Sequence, residues 1–412
     1  MICYYFPPSR TSAIARSVGF AENLVRVGWE PTVLTVAKPR DTWGIKSLDA
    51  PLPQQISIVR AREVNLNRLV DLLDTLVNKA RLLLGLKGGR YYFRDLLCIP
   101  DPQIAWLAFF KAVTFARRKD CIYVTCSPFS SAVLGGLVKV FSRRPLVLDF
   151  RDAWRLNPHG LEHTRIHNWV VALMEKWVIK TCDRLVLNTR GALTAYQREY
   201  PEYARKMMWI PNGYDKLNLP APEECKRDKF VIMHVGSLYG TRDPALLLEA
   251  LTELNHRDIE FVQVGGGFES YDHYKDHVTI TLINSVPPEE ALRLMRSASL
   301  LYLKQGLEKN DTQYVAVAAK TYEYIATGLP ILVDCPPGDN IDIVREYAEH
   351  AYIVTEANKE QIKEAILSAY GRRSAVTPSI RARFVDDFDR LNLTKKLARA
   401  MEEIVRTHVT PL

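Results

Sequence analysis

No stretch of this chain approaches the roughly 18 uninterrupted apolar residues of a membrane-crossing helix, so the sequence offers no helical membrane span. Nor does a basic and then apolar leader come first: Met1-Ile2-Cys3-Tyr4-Tyr5-Phe6 reads as a strand that begins at once, and a cytoplasmic protein is expected. Cysteine is sparse and scattered. Cys3, Cys98, Cys121, Cys126, Cys182, Cys225 and Cys335 contain no C-x-x-C spacing, which argues against a disulfide frame or zinc site and for reduced thiols. Basic residues outnumber acidic ones, yet no nucleic-acid reader module accompanies them, so no nucleic-acid partner is expected.

What is present is globular. An apolar share of 47% with 25% charged residues suits a folded protein, and 412 residues exceed what one core usually serves, so two domains are expected. The net charge of +8 favours anionic partners without naming them. Residues 60–95 hold eight Lys/Arg against four acids. Within them Leu66, Leu69, Val70, Leu73, Leu76, Val77, Ala80, Leu83 and Leu84 fall at helical spacing, and the following Leu86 to Arg94 mixes cations with aromatics. Two readings of 66–94 stay open: a core-packed helix with a basic loop, or a piece lying on an anionic membrane surface.

The sharpest local signal is Ala318-Ala319-Lys320-Thr321-Tyr322-Glu323-Tyr324-Ile325-Ala326-Thr327-Gly328-Leu329-Pro330, followed by the strand-like Ile331-Leu332-Val333-Asp334. Small residues open a helix, Gly328 supplies a left-handed stop and Pro330 forbids continuation. Lys320 and Glu323, three apart, share one face. They form either a surface salt bridge or a site for a nucleotide diphosphate, with the ammonium and free helix amides on phosphate and the carboxylate on ribose hydroxyls.

Other strand ends carry polar residues. Ser9, Arg10 and Thr11 follow the first strand and precede a helix with Ile14, Val18, Ala21 and Val25 on one face, then the strand Thr32 to Val36, the opening of a Rossmann-like domain. Ligands meet the carboxyl ends of such strands, so this loop is either simply solvated or placed for a substrate. The strand Pro145 to Phe150 runs into Arg151-Asp152-Ala153-Trp154; Asp149, Arg151 and Asp152 either lock Arg151 between two carboxylates or face a ligand. His159, His163 and His167 would align as metal ligands only on a helix, which Pro158 and Gly160 oppose, so no metal site is expected. Ile210-Pro211-Asn212-Gly213-Tyr214-Asp215 and the charged, proline-containing run to Lys229 suggest a boundary near Asp215. The strand Phe230 to Val235 then leads into Gly236-Ser237, Arg242 and Asp243-Pro244, either a plain connection or a phosphate cradle, though neither a Walker motif nor G-x-G-x-x-G. Ile259 to Val264 ends in Gly265-Gly266-Gly267.

The run Lys320-x-x-Glu323-Tyr324-x-Ala326-x-Gly328-x-Pro330 resembles the donor-site helix of family 4 retaining glycosyltransferases. The turn at Ser127-Pro128, the Asp149-Phe150-Arg151-Asp152-x-Trp154 run, the passage through Pro211-Asn212-Gly213 and the glycine turn at Gly236 are similar to further family stretches in the same order. A branch of that family linked to bacterial surface-polysaccharide assembly resembles the chain better than the family at large. The resemblance implies an α/β GT-B fold: two Rossmann-like domains with parallel sheets facing an interdomain cleft. Residues 1–215 would bind the acceptor, 216–380 the nucleotide-sugar, and helices of 381–412 would cross back. It assigns Gly236, Ser237, Arg242, Gly265, Lys320 and Glu323 to the donor, with Arg242 and Lys320 catalytic and Glu323 on the ribose. Ser9, Arg10, Thr11, Asp149, Arg151 and Asp152 would meet the acceptor. The implied reaction moves a sugar with retention from a nucleotide-sugar, a UDP-sugar for preference, to a lipid-linked or saccharide acceptor. No metal and no cofactor besides the nucleotide-sugar co-substrate is implied, and the inner face of a membrane is an optional partner. The family often carries a second acid eight residues before the glutamate, where this chain has Val315. That departure favours a non-catalytic nucleotide-sugar binder as the alternative, with a GT-B epimerase as another.

Overall fold

Short runs of β-branched and apolar residues form parallel strands that sort into two sheets in the computed structural model. The structure describes residues 1–8, 14–37, 56–64, 66–85, 92–156, 164–216, 229–238, 240–267, 271–306, 316–355, 358–375 and 377–409. In the first sheet lie β1 (Ile2–Cys3), β2 (Thr32–Val36), β3 (Ser57–Ala61), β4 (Ile122–Cys126), β5 (Leu146–Phe150), β6 (Arg184–Leu187) and β7 (Met207–Trp209), ordered β3-β2-β1-β4-β5-β6-β7. The second holds β8 (Phe230–Val235), β9 (Ile259–Val264), β10 (Thr279–Ile283), β11 (Leu300–Lys304), β12 (Ile331–Asp334) and β13 (Ala351–Val354), ordered β10-β9-β8-β11-β12-β13. Both orders reverse once, between β1 and β4 and between β8 and β11. In open α/β sheets the carboxyl ends at such a reversal are where ligands bind. Central strands such as β4, β5, β8 and β11 are buried throughout, which explains why each is apolar but for one residue.

One compact unit comprises Met1–Pro211 with Thr394–Leu412, the other Asn212–Leu393. The first has a core around Tyr4, Val124, Leu148 and Phe150, the second around Phe230, Leu247, Phe261 and Tyr302. Tyr214 belongs with the second unit because it stacks on Phe384 with ring centroids 5.1 Å apart. Gly213 sits at φ +65, where a Cβ would press to 2.5 Å from the Phe388 carbonyl oxygen. The helix Arg390–Val409 starts in the second unit, with Arg390 paired to Asp215, and joins the first from Thr394 on, where Glu403 meets Arg184 at 2.9 Å.

Three helical faces bury residues other than those that apolar spacing alone would select. In Ile14–Arg26 the fully buried side chains include Arg16, Phe20 and Leu24, while Val18 and Val25 are half-buried, because Arg16 turns inward to Asp149. Among the described side chains of Leu66–Leu83 only Val70 and Asp74 are buried, and Leu69, Leu72 and Leu76 are exposed. Asp74 is held inside by accepting from the backbone amides of Phe93 and Arg94, which start the next helix. In Arg165–Thr181 the inward residues are His167, Val171, Glu175, Val178 and Ile179, leaving Trp169 and Leu173 exposed. Among the described residues no helix is long and apolar enough to cross a membrane.

Candidate functional site

Parallel register sets β8 and β9 level, Val235 against Val264, so the glycines that follow meet at the switch point of the second sheet. Gly236 has φ +118 and Gly265 φ +124, conformations that L side chains rarely adopt. A Cβ on Gly265 would stand 2.8 Å from the Gly236 carbonyl oxygen, and one on Gly236 would stand 2.5 Å from Lys320 Nζ. The turn is pinned by Gly236 N donating to Val264 O (2.7 Å) and Gln263 Nε2 donating to Gly236 O (2.6 Å). Ser237 is exposed at its edge.

The helix Ala319–Thr327 approaches this mouth with its amino end and stops at Gly328, φ 73, as its sequence requires. Val235 N donates to Tyr324 OH at 2.8 Å, fixing the helix to the end of β8. Behind it Thr321 Oγ1 donates to Asn340 Oδ1 at 2.7 Å, and Asn340 reaches Gln305, all three buried. Lys320 is thereby carried over Gly236. Its Nζ lies 2.9 Å from His234 Nε2, and His234 Nδ1 lies 2.9 Å from Tyr302 O.

The electrostatics follow from that stacking. Burial, with the Lys320 charge second, pushes His234 well below the ordinary histidine range, so the ring is neutral. Its Nδ1–H then donates to the Tyr302 carbonyl and its Nε2 accepts from Lys320. Burial and then the neighbouring Arg242 lower Lys320 to about 7, while Glu323 and Cys335 pull the other way. Burial raises Glu323, and Lys320 partly offsets it. Arg242 follows the turn at Gly240 and acts on both Lys320 and His234. Asp243 Oδ1 accepts from Ala245 N at 2.9 Å and so starts the helix Ala245–Leu254. Two cations that repel each other, an open glycine turn and a carboxylate one helical turn away are suited to a bound anion with hydroxyls beside it.

Thus Gly236, Ser237, Gly265, Arg242, Lys320 and Glu323 come together at one strand mouth. His234 was missed by sequence reasoning. Its signal is a histidine in the otherwise apolar β8, two residues before the glycine turn and so on that turn's side of the sheet.

The residues expected to meet an acceptor fare differently. Asp149 has no exposed surface and accepts from Arg16 through both oxygens at 2.8 Å, and from Tyr123 OH. Arg16 also donates to Ile210 O at 2.8 Å. Asp149 is therefore corrected to a residue that ties the first helix to β4, β5 and the chain at Ile210, because a carboxylate sealed from solvent and paired with a guanidinium has no face for a ligand. Arg151 is half-buried and donates to Cys126 O (3.2 Å) and Ser127 O (2.6 Å), so its guanidinium bridges to backbone rather than to Asp149. Asp152 is exposed, and Trp154 stacks on Phe129 at 4.7 Å. Ser9, Arg10, Thr11, Val315, His159 and His163 lie outside the described residues. Among the described residues no group of His, Cys, Asp and Glu could hold a metal ion.

No protein-family model and no curated protein matches the chain. Solved structures do. Anabaena HepE in complex with UDP-glucose is similar at TM-score 0.63 and 16% identity, over 98% of this chain and 99% of that one. A glycosyltransferase from Rickettsia africae is similar at TM-score 0.61 and 12% identity over 98% of both chains. WaaG, a glycosyltransferase involved in lipopolysaccharide biosynthesis, is similar at TM-score 0.58 and 13% identity, over 100% of this chain and 99% of its own. At such identities the likeness shows the fold: two parallel-sheet α/β domains of the GT-B type.

Proposed function

We propose that this GT-B chain is a glycosyltransferase that takes a sugar from a nucleotide-sugar, with the donor diphosphate lodged over Gly236 between Arg242 and Lys320. One observation carries the reading: Gly236 leaves room for the Lys320 ammonium at the strand mouth, where the charges of both Arg242 and Glu323 act on it. Helix amides and two cations would stabilise charge gathering on the leaving diphosphate, the kind of preorganised stabilisation that contributes most to transfer chemistry. Glu323 would accept from ribose hydroxyls and so fix the anomeric carbon against an acceptor. The bond from that carbon to the diphosphate breaks and one to the acceptor oxygen forms on the same face, retaining configuration. UDP is the favoured nucleotide, a choice supported by HepE's complexes with UDP and UDP-glucose. The acceptor is proposed to be a lipid-linked or other saccharide in cell-surface polysaccharide assembly. The inner face of a membrane is a proposed partner through 66–94, a reading supported by the exposed Leu69, Leu72 and Leu76.

Arg242 and Lys320 are proposed to take the part that a divalent ion plays in other transferases. Calorimetric titration of UDP-, GDP- and TDP-sugars, followed by a transfer assay with chelator, tests the whole reading. Binding of one series and chelator-resistant transfer support it. Tight binding without transfer or hydrolysis favours the non-catalytic alternative that Val315 suggests, and conversion of the donor with no acceptor present favours an epimerase.

A further inference from the structure

Exposed large apolar side chains are unevenly spread. Among the described residues seventeen of eighteen fall between Val64 and Leu173, all in the first unit, and only Leu367 lies elsewhere. Scattered exposed leucines are ordinary, but crowding onto one stretch marks a surface with a partner. Apart from the six exposed leucines between Leu69 and Leu84, a second group, Phe110, Leu137, Val140 and Phe141, is built by the helices Phe109–Ala116 and Ser130–Ser142, which pack on each other. Phe109 meets Phe110 at 5.4 Å and Phe141 at 5.3 Å between ring centroids, an interlocked aromatic ridge. Phe110 is 83% exposed and Phe141 55%.

Charge identifies what covers the ridge. Between Pro102 and Leu148 the chain has seven Lys/Arg and one acid, Asp120, and of the seven Lys139 is paired with Asp183 at 2.5 Å. Arg117 donates to Phe141 O at 3.4 Å and Arg144 to Arg117 O at 3.0 Å, which brings two guanidinium groups to the edge of the ridge. Arg143 caps the second helix at φ 58, where glycine is the usual residue, and is exposed. A protein partner of ordinary composition would present both charge signs. Outward aromatics edged by cations with almost no acids match the headgroup boundary of an anionic bilayer, where rings insert and arginines meet phosphate.

We propose that the Phe109–Phe110–Phe141 ridge, with Arg117 and Arg144 at its edge, is the surface on which this protein rests on an anionic lipid bilayer. It lies outside 66–94 and extends the membrane reading to a different surface. It touches the same short turn, Pro102–Ala105, that the helix Leu66–Leu83 touches. The proposal stands whichever sugar is moved, and it needs no donor at all.

The test is sedimentation of the full-length protein with vesicles of phosphatidylglycerol and phosphatidylcholine, against phosphatidylcholine alone, at low and high salt. Binding to the anionic vesicles only, weakened by salt, is expected. Phe110→Ser should lower partitioning about tenfold, from the apolar area that no longer inserts. Arg117→Glu should lower it comparably at low salt, and both proteins should keep their melting temperature and nucleotide binding, since both side chains are exposed. Wild-type protein that stays in the supernatant, or variants that sediment as the wild type does, overturns the proposal. So does dimerisation that Phe110→Ser abolishes without any vesicle binding, which would assign the ridge to a second copy of the chain.

Discussion

Donor affinity should fall as pH rises through neutrality. Lys320 titrates at about 7 because it is buried beside Arg242, and its ammonium rests on a neutral imidazole. A diphosphate supplies the missing negative charge, so the pKa of Lys320 in the complex lies above that in the free protein. The sign follows: the full interaction is present below the free-state value, and is lost as pH rises from there toward the bound-state value. A group of pKa about 7 is about nine-tenths protonated at pH ~6 and one-tenth at pH ~8, so affinity should drop roughly tenfold between them, with proton uptake on binding rising from about 0.1 to about 0.9. A UDP-sugar is the right probe, because its diphosphate is a diester and does not itself titrate in this range. Calorimetry in two buffers of different ionisation enthalpy reads both affinity and proton uptake. Lys320→Arg should flatten the profile. Arg242→Gln should move its midpoint up by removing a like charge, and His234→Leu should move it down by removing the acceptor on which the ammonium rests. Affinity that is constant or increases from pH ~6 to ~8 in the wild type would refute the assignment of Lys320 to the diphosphate.

Three further outcomes test separate parts. Gly236→Ala forces a left-handed φ on alanine and its Cβ toward Lys320 Nζ, so donor affinity should fall and stability drop by about 1–2 kcal/mol, read by denaturant titration. Asp149→Ala leaves Arg16 buried without its carboxylate, which should cost about 3–5 kcal/mol of stability while the remaining folded protein binds donor as before. Glu323→Ala should weaken binding of a full nucleotide far more than that of pyrophosphate, because only the former brings ribose hydroxyls; equal losses for both would argue against a ribose contact.

Much of the donor-side arrangement is local and so was readable. The helix stop at Gly328, the buried strand Ile331–Asp334 and the glycine turn after Val235 are each set by residues adjacent in sequence. Lys320 and Glu323 share a face by spacing alone. Long-range partners were not readable, since they depend on which strands become neighbours. His234 matters only because β11 lies beside β8, offering the Tyr302 carbonyl on one side while Lys320 arrives on the other. Asp149 looked available because the strand end it occupies usually faces ligands; Arg16, 133 residues earlier, closes it off. The apolar stripe of Leu66–Leu83 was visible by period, but period gives no direction, and only Val70 of its apolar residues is buried.

The central claim is that a nucleotide diphosphate sits against Gly236, Lys320 and Arg242. A crystal structure of the protein soaked with a UDP-sugar measures this directly. The diphosphate should lie within hydrogen-bonding distance of Lys320 Nζ and the Gly236 turn, with the ribose hydroxyls on Glu323. A nucleotide bound at any other strand mouth, with Lys320 still resting on His234 and no phosphate near it, would contradict the claim.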